Sequence, residues 1–397
     1  MSEIQALREQ MCVTERYAYF DHAAVAPLPS PSSEAIALYA REAAEMGDAD
    51  WPKWGRKVSD LRECAANLLD VTTNEIALVN STTQGINLVA EGMPWNNGDN
   101  VLIPENEFPS NMVAWQNLKR RGVEVRRVPV AHNGAITAAT FRPFLDDRTR
   151  VISLSWVGYS TGYRADVGSI VELAHAHHGK NGPVLVCLDA IQGLGAFPLN
   201  VRDLDLDFVC ADGHKWMLGP EGAGLFYIKS KHLDLLQPLG LGWNSLAASG
   251  FQPFRGGELK GALKQNASRY EGGATNISGM HGLGASLELL LDIGVNSEPS
   301  TTQRCILDNV ASLERKLSKV KLKAHLPVEE EHRSGIVGIT WPEAEQDETL
   351  LIKARNFLLE NRIVTSVRGG RLRISTHAYN NEEELERLVQ TLVEFRS

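Results

Sequence analysis

The chain has 397 residues, 43% of them hydrophobic and 22% charged, with a formal net charge of −9. That length buries a large core without metals or disulfides, and the composition is that of a globular protein. There is no basic run with interleaved aromatics and no apolar stretch of bilayer-spanning length, so neither a nucleic-acid nor a membrane partner is expected.

The N-terminus, MSEIQALREQ, is charged and helix-like, without an apolar signal core or an Arg-rich transit pattern. Five cysteines, Cys12, Cys64, Cys187, Cys210 and Cys305, are widely spaced and form no C-x-x-C pair. They point to a reducing compartment, the cytoplasm, and to no disulfide framework.

Residues 30–45 predict a helix opened by Ser and Pro, and Val58, Leu61, Ala65 and Leu68 predict a second at three- and four-residue spacing. From residue 75 short apolar runs alternate with amphipathic helices. EIALV precedes a helix over INLVAEGM, and NVLIP precedes a helix over NMVAWQNLKRR that ends at Gly122. VEVRRVPV, RVISLSW, PVLVCLD, DFVCA and AGLFYIK are further strand candidates. This alternation predicts an α/β fold with a mainly parallel, seven-stranded sheet covered on both faces. The Gly-rich stretch 240–270 predicts a long ordered loop. After Gly272-Gly273 come a long helix and an α+β segment, with GIVGIT and RLRIST as strands and Leu385, Leu388, Val389 and Leu392 on one helix face. The expected division is a large domain over 16–275 and a small C-terminal α+β domain over 276–397, which the N-terminal segment 1–15 joins.

In parallel sheets ligands gather beyond the carboxyl ends of the strands. The predicted tips carry Ser81-Thr82-Thr83-Gln84, Glu105-Asn106-Glu107-Phe108, Trp156, Asp189-Ala-Ile-Gln192 and Asp212-Gly213-His214-Lys215. Ser81 to Gln84 reads as a capping box or as a phosphate site at a helix N-terminus. No G-x-x-x-x-G-K-[ST] is present, and no G-x-G-x-x-G follows a strand, so nucleoside triphosphates and dinucleotides lose their usual support. An aspartate at a strand tip is commonly a cap, but in a dry pocket it can pair with a cationic ring nitrogen. A lysine is commonly a solvated charge, but desolvation beside an apolar strand would make Lys215 nucleophilic. His175, His177 and His178 are read as a solvated helix end, and no metal site is expected.

With these residues in order, the sequence resembles the class V aminotransferase family of fold-type-I pyridoxal-phosphate enzymes, which includes cysteine desulfurases and isopenicillin N epimerase-like proteins. The resemblance rests on Tyr19-Phe20-Asp21-His22-Ala23-Ala24, the STTQGIN loop, Asp189 with Gln192, Gly213-His214-Lys215, Glu271-Gly272-Gly273 before Asn276, and Leu372-Arg373-Ile374-Ser375 before Tyr379-Asn380. It covers nearly the whole chain.

The resemblance implies the cofactor pyridoxal 5'-phosphate, a small-molecule amino acid substrate, and a homodimer with its active site at the interface. Lys215 would carry the cofactor as a Schiff base and move the proton at the substrate α-carbon. Asp189 would keep the pyridine nitrogen protonated, Gln192 would donate to the ring's phenolic oxygen, and Phe108 would stack on the ring where many relatives place a histidine. Thr82, Thr83 and His214 would hold the phosphate, and Arg373 would clamp the substrate carboxylate. Ala23 and Trp156 would line the substrate pocket; Trp156 stands where desulfurases often have Asn. Two further departures are Asp212, in place of Ser or Thr near the phosphate, and Ala274, in place of a threonine donated across the dimer. Asp212 is expected to turn away or pair with a neighbouring donor, and Thr275 to stand in one register later.

A desulfurase of this family needs a cysteine on a mobile loop shortly before the carboxylate-binding arginine. Residues 365–373, Thr-Ser-Val-Arg-Gly-Gly-Arg-Leu-Arg, contain none. The leading expectation is therefore an aminotransferase acting on an α-amino acid. The alternatives are epimerisation, with Tyr159 or His22 as the opposite-face proton donor, and C–S cleavage without a persulfide cysteine.

Overall fold

The computed structural model describes residues 3–247, 263–341 and 347–396; the expected loop 240–270 thus lies in part, at 248–262, outside the described residues. All seven expected strands join one sheet: β1 (Ile76–Val79), β2 (Asn100–Pro104), β3 (Glu124–Val128), β4 (Thr149–Ser155), β5 (Leu185–Asp189), β6 (Phe208–Asp212) and β7 (Gly224–Ile228). Their order is β1-β7-β6-β5-β4-β2-β3, and only β7 runs against its neighbours. Every residue of β1, β2, β5, β6 and β7 is buried. A sheet covered on both faces leaves no polar side to alternate with, which is why these strands read as unbroken apolar runs. β3 lies at the edge, where the outward charges of Glu124 and Arg127 discourage pairing with another chain.

Helices α1 (Ser30–Met46), α2 (Trp51–Leu69) and α3 (Thr82–Gly92) precede or follow β1. α3 lies flat on the sheet because Gly85 faces β6: a Cβ there would come within 2.9 Å of Cys210 Sγ. Helix α4 (Ile277–Asp292) packs against both α1 and α2. Its Met280, Leu283, Leu287 and Leu290 belong to the same core as Leu61 and Leu68 of α2 and Leu188 of β5.

A separate core fills the C-terminal unit. Strands β8 (Lys323–His325), β9 (Ile336–Thr340), β10 (Ser366–Arg368) and β11 (Arg371–Ser375) form an antiparallel sheet in the order β8-β9-β11-β10. Helices α5 (Thr301–Lys319), α6 (Glu348–Glu360) and α7 (Glu382–Glu394) bury Val310, Leu313, Leu358 and Leu388 against it. Because α4 shares the large core, we propose that the boundary falls in the turn over 293–300, after that helix rather than before it as expected near 275.

The N-terminal segment joins the two units. Ala18–Tyr19 pairs in parallel with Ile363–Val364, and Phe20 enters the small core. Seven residues after Tyr19, the Ala26 N–H donates to the His214 carbonyl in the turn that bears Lys215. Among the described residues no helix is long and apolar enough to cross a membrane.

Candidate active site

Five strand tips converge beyond the carboxyl edge of the large sheet, and the C-terminal unit closes over them. At the tip of β1, Ser81 caps α3 by accepting the Gln84 N–H at 3.1 Å, and the Gln84 side chain accepts the Asn80 N–H at 2.7 Å. Thr82 Oγ1 accepts the Asp212 backbone N–H at 2.9 Å, tying the first turn of α3 to the end of β6. Thr83 Oγ1 donates to Ser110 Oγ at 2.9 Å. The opening N–H groups of a helix have no partner within it, so this corner offers donors and a positive helix end to an anion.

Asp212 Oδ2 lies 3.2 Å from His214 Nδ1. The fit is incomplete, since Asp212 Oδ1 and His214 Nδ1 are buried without a hydrogen-bond partner.

Lys215 is buried, and its Nζ lies 5.6 Å from the centre of the Phe108 ring. Burial lowers its pKa to about 8, against the opposing pull of Asp189. Asp189 ends β5. Burial raises its carboxyl to about 6, although the Ile191 N–H, donated at 3.1 Å, and the nearby Lys215 charge both favour the ionised form. Gln192 is anchored at both ends: its Nε2 donates to the Ala23 carbonyl at 3.0 Å, and its Oε1 accepts the Trp216 indole N–H at 2.9 Å. One amide proton is left over, since an amide nitrogen carries two. Phe108, 41% exposed, stands edge-on to Tyr159 with ring centres 5.4 Å apart.

Arg373 arrives on β11 and is 2% exposed. Its Nη2 pairs with Asp21 Oδ1 at 3.1 Å, its Nε donates to Ser366 Oγ at 3.2 Å and its Nη1 to the Tyr159 carbonyl at 2.9 Å. Ala23 is held by its N–H to Ser375 Oγ at 2.9 Å.

Trp156, expected in the pocket, packs mainly against the core. The Trp156 ring packs on Gly193, where a Cβ would approach to 2.3 Å, and against Phe197 within the main core; its backbone N–H donates to the Asp189 carbonyl. Asn276, next to Thr275, caps α4 and reaches the Gly222 carbonyl at 3.2 Å. His22, considered as a proton donor, is fully buried, with Nδ1 on the Ser375 carbonyl at 2.9 Å and Nε2 on Tyr379 Oη at 2.8 Å. Burial lowers its pKa well below the usual value, so the ring is held neutral and has no imidazolium proton to give.

Sequence reasoning gave no role to Glu107. It is buried, and accepts from the Ser155 N–H at 2.6 Å, Ser155 Oγ at 2.5 Å and Asn111 Nδ2 at 3.1 Å. Burial raises its pKa to about 7, and the negative Asp189 adds to the rise. Glu107 lies in the loop before the helix Ser110–Gln116, so no periodicity marked it. Glu107→Ala would leave three donors unpaired and is expected to destabilise the protein by about 3 kcal/mol, as read by chemical denaturation.

These residues suit one kind of group. A buried carboxylate that only Ile191 reaches among the described residues asks for a cation. A desolvated amine beside it suits an aldehyde, the Phe108 face suits a flat ring, and the opening N–H groups of the α3 corner suit a phosphate. Pyridoxal 5'-phosphate carries all four features, and fold and site together define a fold-type-I enzyme with that cofactor. The model of the Aminotransferase class-V family matches residues 18–388, and the chain belongs to that family.

Relatives narrow the setting. A probable cysteine desulfurase of Methanothermobacter thermautotrophicus is 27% identical over 98% of this chain and 97% of its own. A cysteine desulfurase of Escherichia coli strain SE11 is 32% identical over 70% of this chain and 68% of its own. Among solved structures, a C-DES mutant with glycine covalently linked to the PLP cofactor superposes with a TM-score of 0.88 at 26% identity, covering 98% of this chain and 99% of that one. The cystine C–S lyase C-DES in complex with its product, cysteine persulfide, gives 0.87 at 26% identity over 97% and 99%.

Proposed function

We propose that the protein cleaves the C–S bond of a cystine- or cysteine-like amino acid by β-elimination, without passing the sulfur to a cysteine of its own. The observation that carries this reading is the turn before Arg373. β10 and β11 are joined by Gly369 and Gly370 alone, both with positive φ, +57° and +67°. A two-residue turn of this kind is a rigid hairpin end, not a mobile loop, and it carries no cysteine. Cys187 and Cys210 are sealed in β5 and β6, while Cys12, Cys64 and Cys305 lie on the N-terminal segment and on helices. The C–S chemistry named for the relatives supports elimination over the transamination expected from the sequence.

When bound, the cofactor supplies an electron-withdrawing ring that stabilises negative charge at the substrate α-carbon. Thr82, Thr83 and His214 would hold its phosphate, and Asp189 would face its ring nitrogen. Lys215 would hold the cofactor and move the α-proton; an amine titrating near 8 is in part a free base at neutral pH. Arg373 would receive the substrate carboxylate. For cystine the balance is one water consumed, with cysteine persulfide, pyruvate and ammonia released.

Product analysis tests the reading. Cystine or cysteine should yield pyruvate, ammonia and a sulfane or sulfide product in equal amounts. A keto acid that retains the substrate side chain would establish transamination instead, and accumulation of the D-isomer would establish epimerisation. Arg373→Lys, which gives up the planar fork, should raise KM for the substrate about tenfold with a smaller change in kcat. Five free cysteines support a reducing compartment such as the cytoplasm, and the homodimer is carried over from the resemblance.

A further inference from the structure

Arg373 is the only arginine among the described residues whose guanidinium pairs with a carboxylate from the N-terminal Tyr-Phe-Asp-His segment. That carboxylate is Asp21. Its Oδ1 accepts from Arg373 Nη2 at 3.1 Å and from Ser366 Oγ at 2.7 Å, while Ser366 Oγ in turn accepts from Arg373 Nε at 3.2 Å. The Tyr159 carbonyl takes Nη1 at 2.9 Å. A guanidinium has five N–H groups; these contacts engage three and leave two.

We infer that Asp21 is a built-in counter-ion of Arg373 that sets how tightly the site takes a substrate carboxylate. The inference rests on the reading of Arg373 as the carboxylate clamp. A guanidinium exposed by only 2% is costly without a partner, and Asp21 supplies one in the free protein. An arriving carboxylate can use the two remaining N–H groups, but it then shares one positive charge with a second anion at hydrogen-bond range. In a site this dry the repulsion between the two carboxylates is only weakly screened. Asp21 is therefore specificity-determining: it favours ligands whose remaining contacts outweigh that repulsion and disfavours simple carboxylates.

The backbone makes the test clean. Asp21 is placed by a bridge to Ser375 and by the flanking Phe20 and Ala23 hydrogen bonds, none of which uses its side chain. Asp21→Asn keeps an acceptor for Arg373 and Ser366 and removes only the charge.

The experiment titrates the cofactor-loaded protein with propionate, a carboxylate without an amino group, by calorimetry. Asp21→Asn should bind propionate at least about tenfold more tightly than the parent. It should also unfold at lower temperature without propionate and recover most of the loss when saturated. Ser366→Ala, which retains the charge, should bind within about threefold of the parent. A residue that served the fold alone would weaken binding when altered, not strengthen it. Should Asp21→Asn not fold, Asp21→Ser removes the same charge with a smaller acceptor. Equal or weaker propionate binding by the folded neutral variant overturns the inference, provided Arg373→Lys weakens it. If Arg373→Lys also leaves propionate binding unchanged, the assignment of Arg373 to the substrate carboxylate falls, and the inference with it.

Discussion

Lys215→Ala should lower turnover by on the order of 10^4-fold while the protein still folds and still retains some cofactor. The size follows from the loss of a positioned proton-transfer group, which alone contributes about 10^2–10^4-fold, together with the loss of the covalent hold on the cofactor. Borohydride treatment followed by peptide mapping should tag Lys215 in the parent protein and no residue in the variant; a different tagged lysine would refute the assignment. The pH dependence adds a second check. Burial brings this amine down to about 8, and only the neutral amine attacks an aldehyde. The rate at which cofactor-stripped protein captures pyridoxal phosphate should therefore climb about tenfold per pH unit below 8 and level off above it. A rate still climbing at pH 10 would mean an ordinary solvated lysine.

Asp189→Asn should stabilise the stripped protein and cripple the loaded one. In the fold the Asp189 carboxyl titrates near 6 rather than 3.8, because burial disfavours its charge. A group raised in this way favours the fold while it is protonated in the native state. That favour is complete below about pH 4, is lost as the pH climbs to about 6, and stays lost above. At pH 7.5 the empty pocket thus costs about 3 kcal/mol, and the neutral asparagine removes that cost. Stripped Asp189→Asn should be more stable than the parent by about that amount at pH 7.5 and equal to it at pH 4, measured by chemical denaturation. With cofactor bound the order reverses, because breaking a buried charge pair costs about 3–5 kcal/mol. Equal stability of the two stripped proteins at pH 7.5 would show that water already reaches the carboxylate. Glu107, raised to about 7 in the fold, has the same sign and should be titrated in the Asp189→Asn background to separate the two.

The large sheet was readable because most of its strands are buried on both faces and its helices keep a 3.6-residue rhythm; each of the seven expected strands is present. In the C-terminal unit, Ile336–Thr340 and Arg371–Ser375 were legible for the same reason. Lys323–His325 and Ser366–Arg368 were missed: three residues give no period, and their burial is partial. Helix α4 carries apolar residues on most of its surface, so its pattern could not say which unit it joins; its packing on α1 and α2 decides that. At the site, motif order named Lys215, Asp189, Gln192 and Arg373, because each sits at a strand end or on a short strand. Trp156 was assigned to the pocket on resemblance to an Asn-bearing position, whereas the bare Gly193 opposite draws its ring into the core. Glu107 and Asp21 were overlooked as working groups because what they do depends on partners distant in sequence, Ser155 for the first and Arg373 for the second.

The parallel pairing of Ala18 and Tyr19 with Ile363 and Val364 joins segments from opposite ends of the chain, and Asp21 meets Arg373 across 352 positions. The strands of the large sheet all precede Ile363–Val364 and Arg373 in the chain. Half of the arginine corner thus lies in the N-terminal segment and half on the last strands. Contacts this distant in sequence carry a high loop-closure cost, so removing Ile363–Val364 or the strand of Arg373 should leave the N-terminal segment 18–21 without its pairing partners.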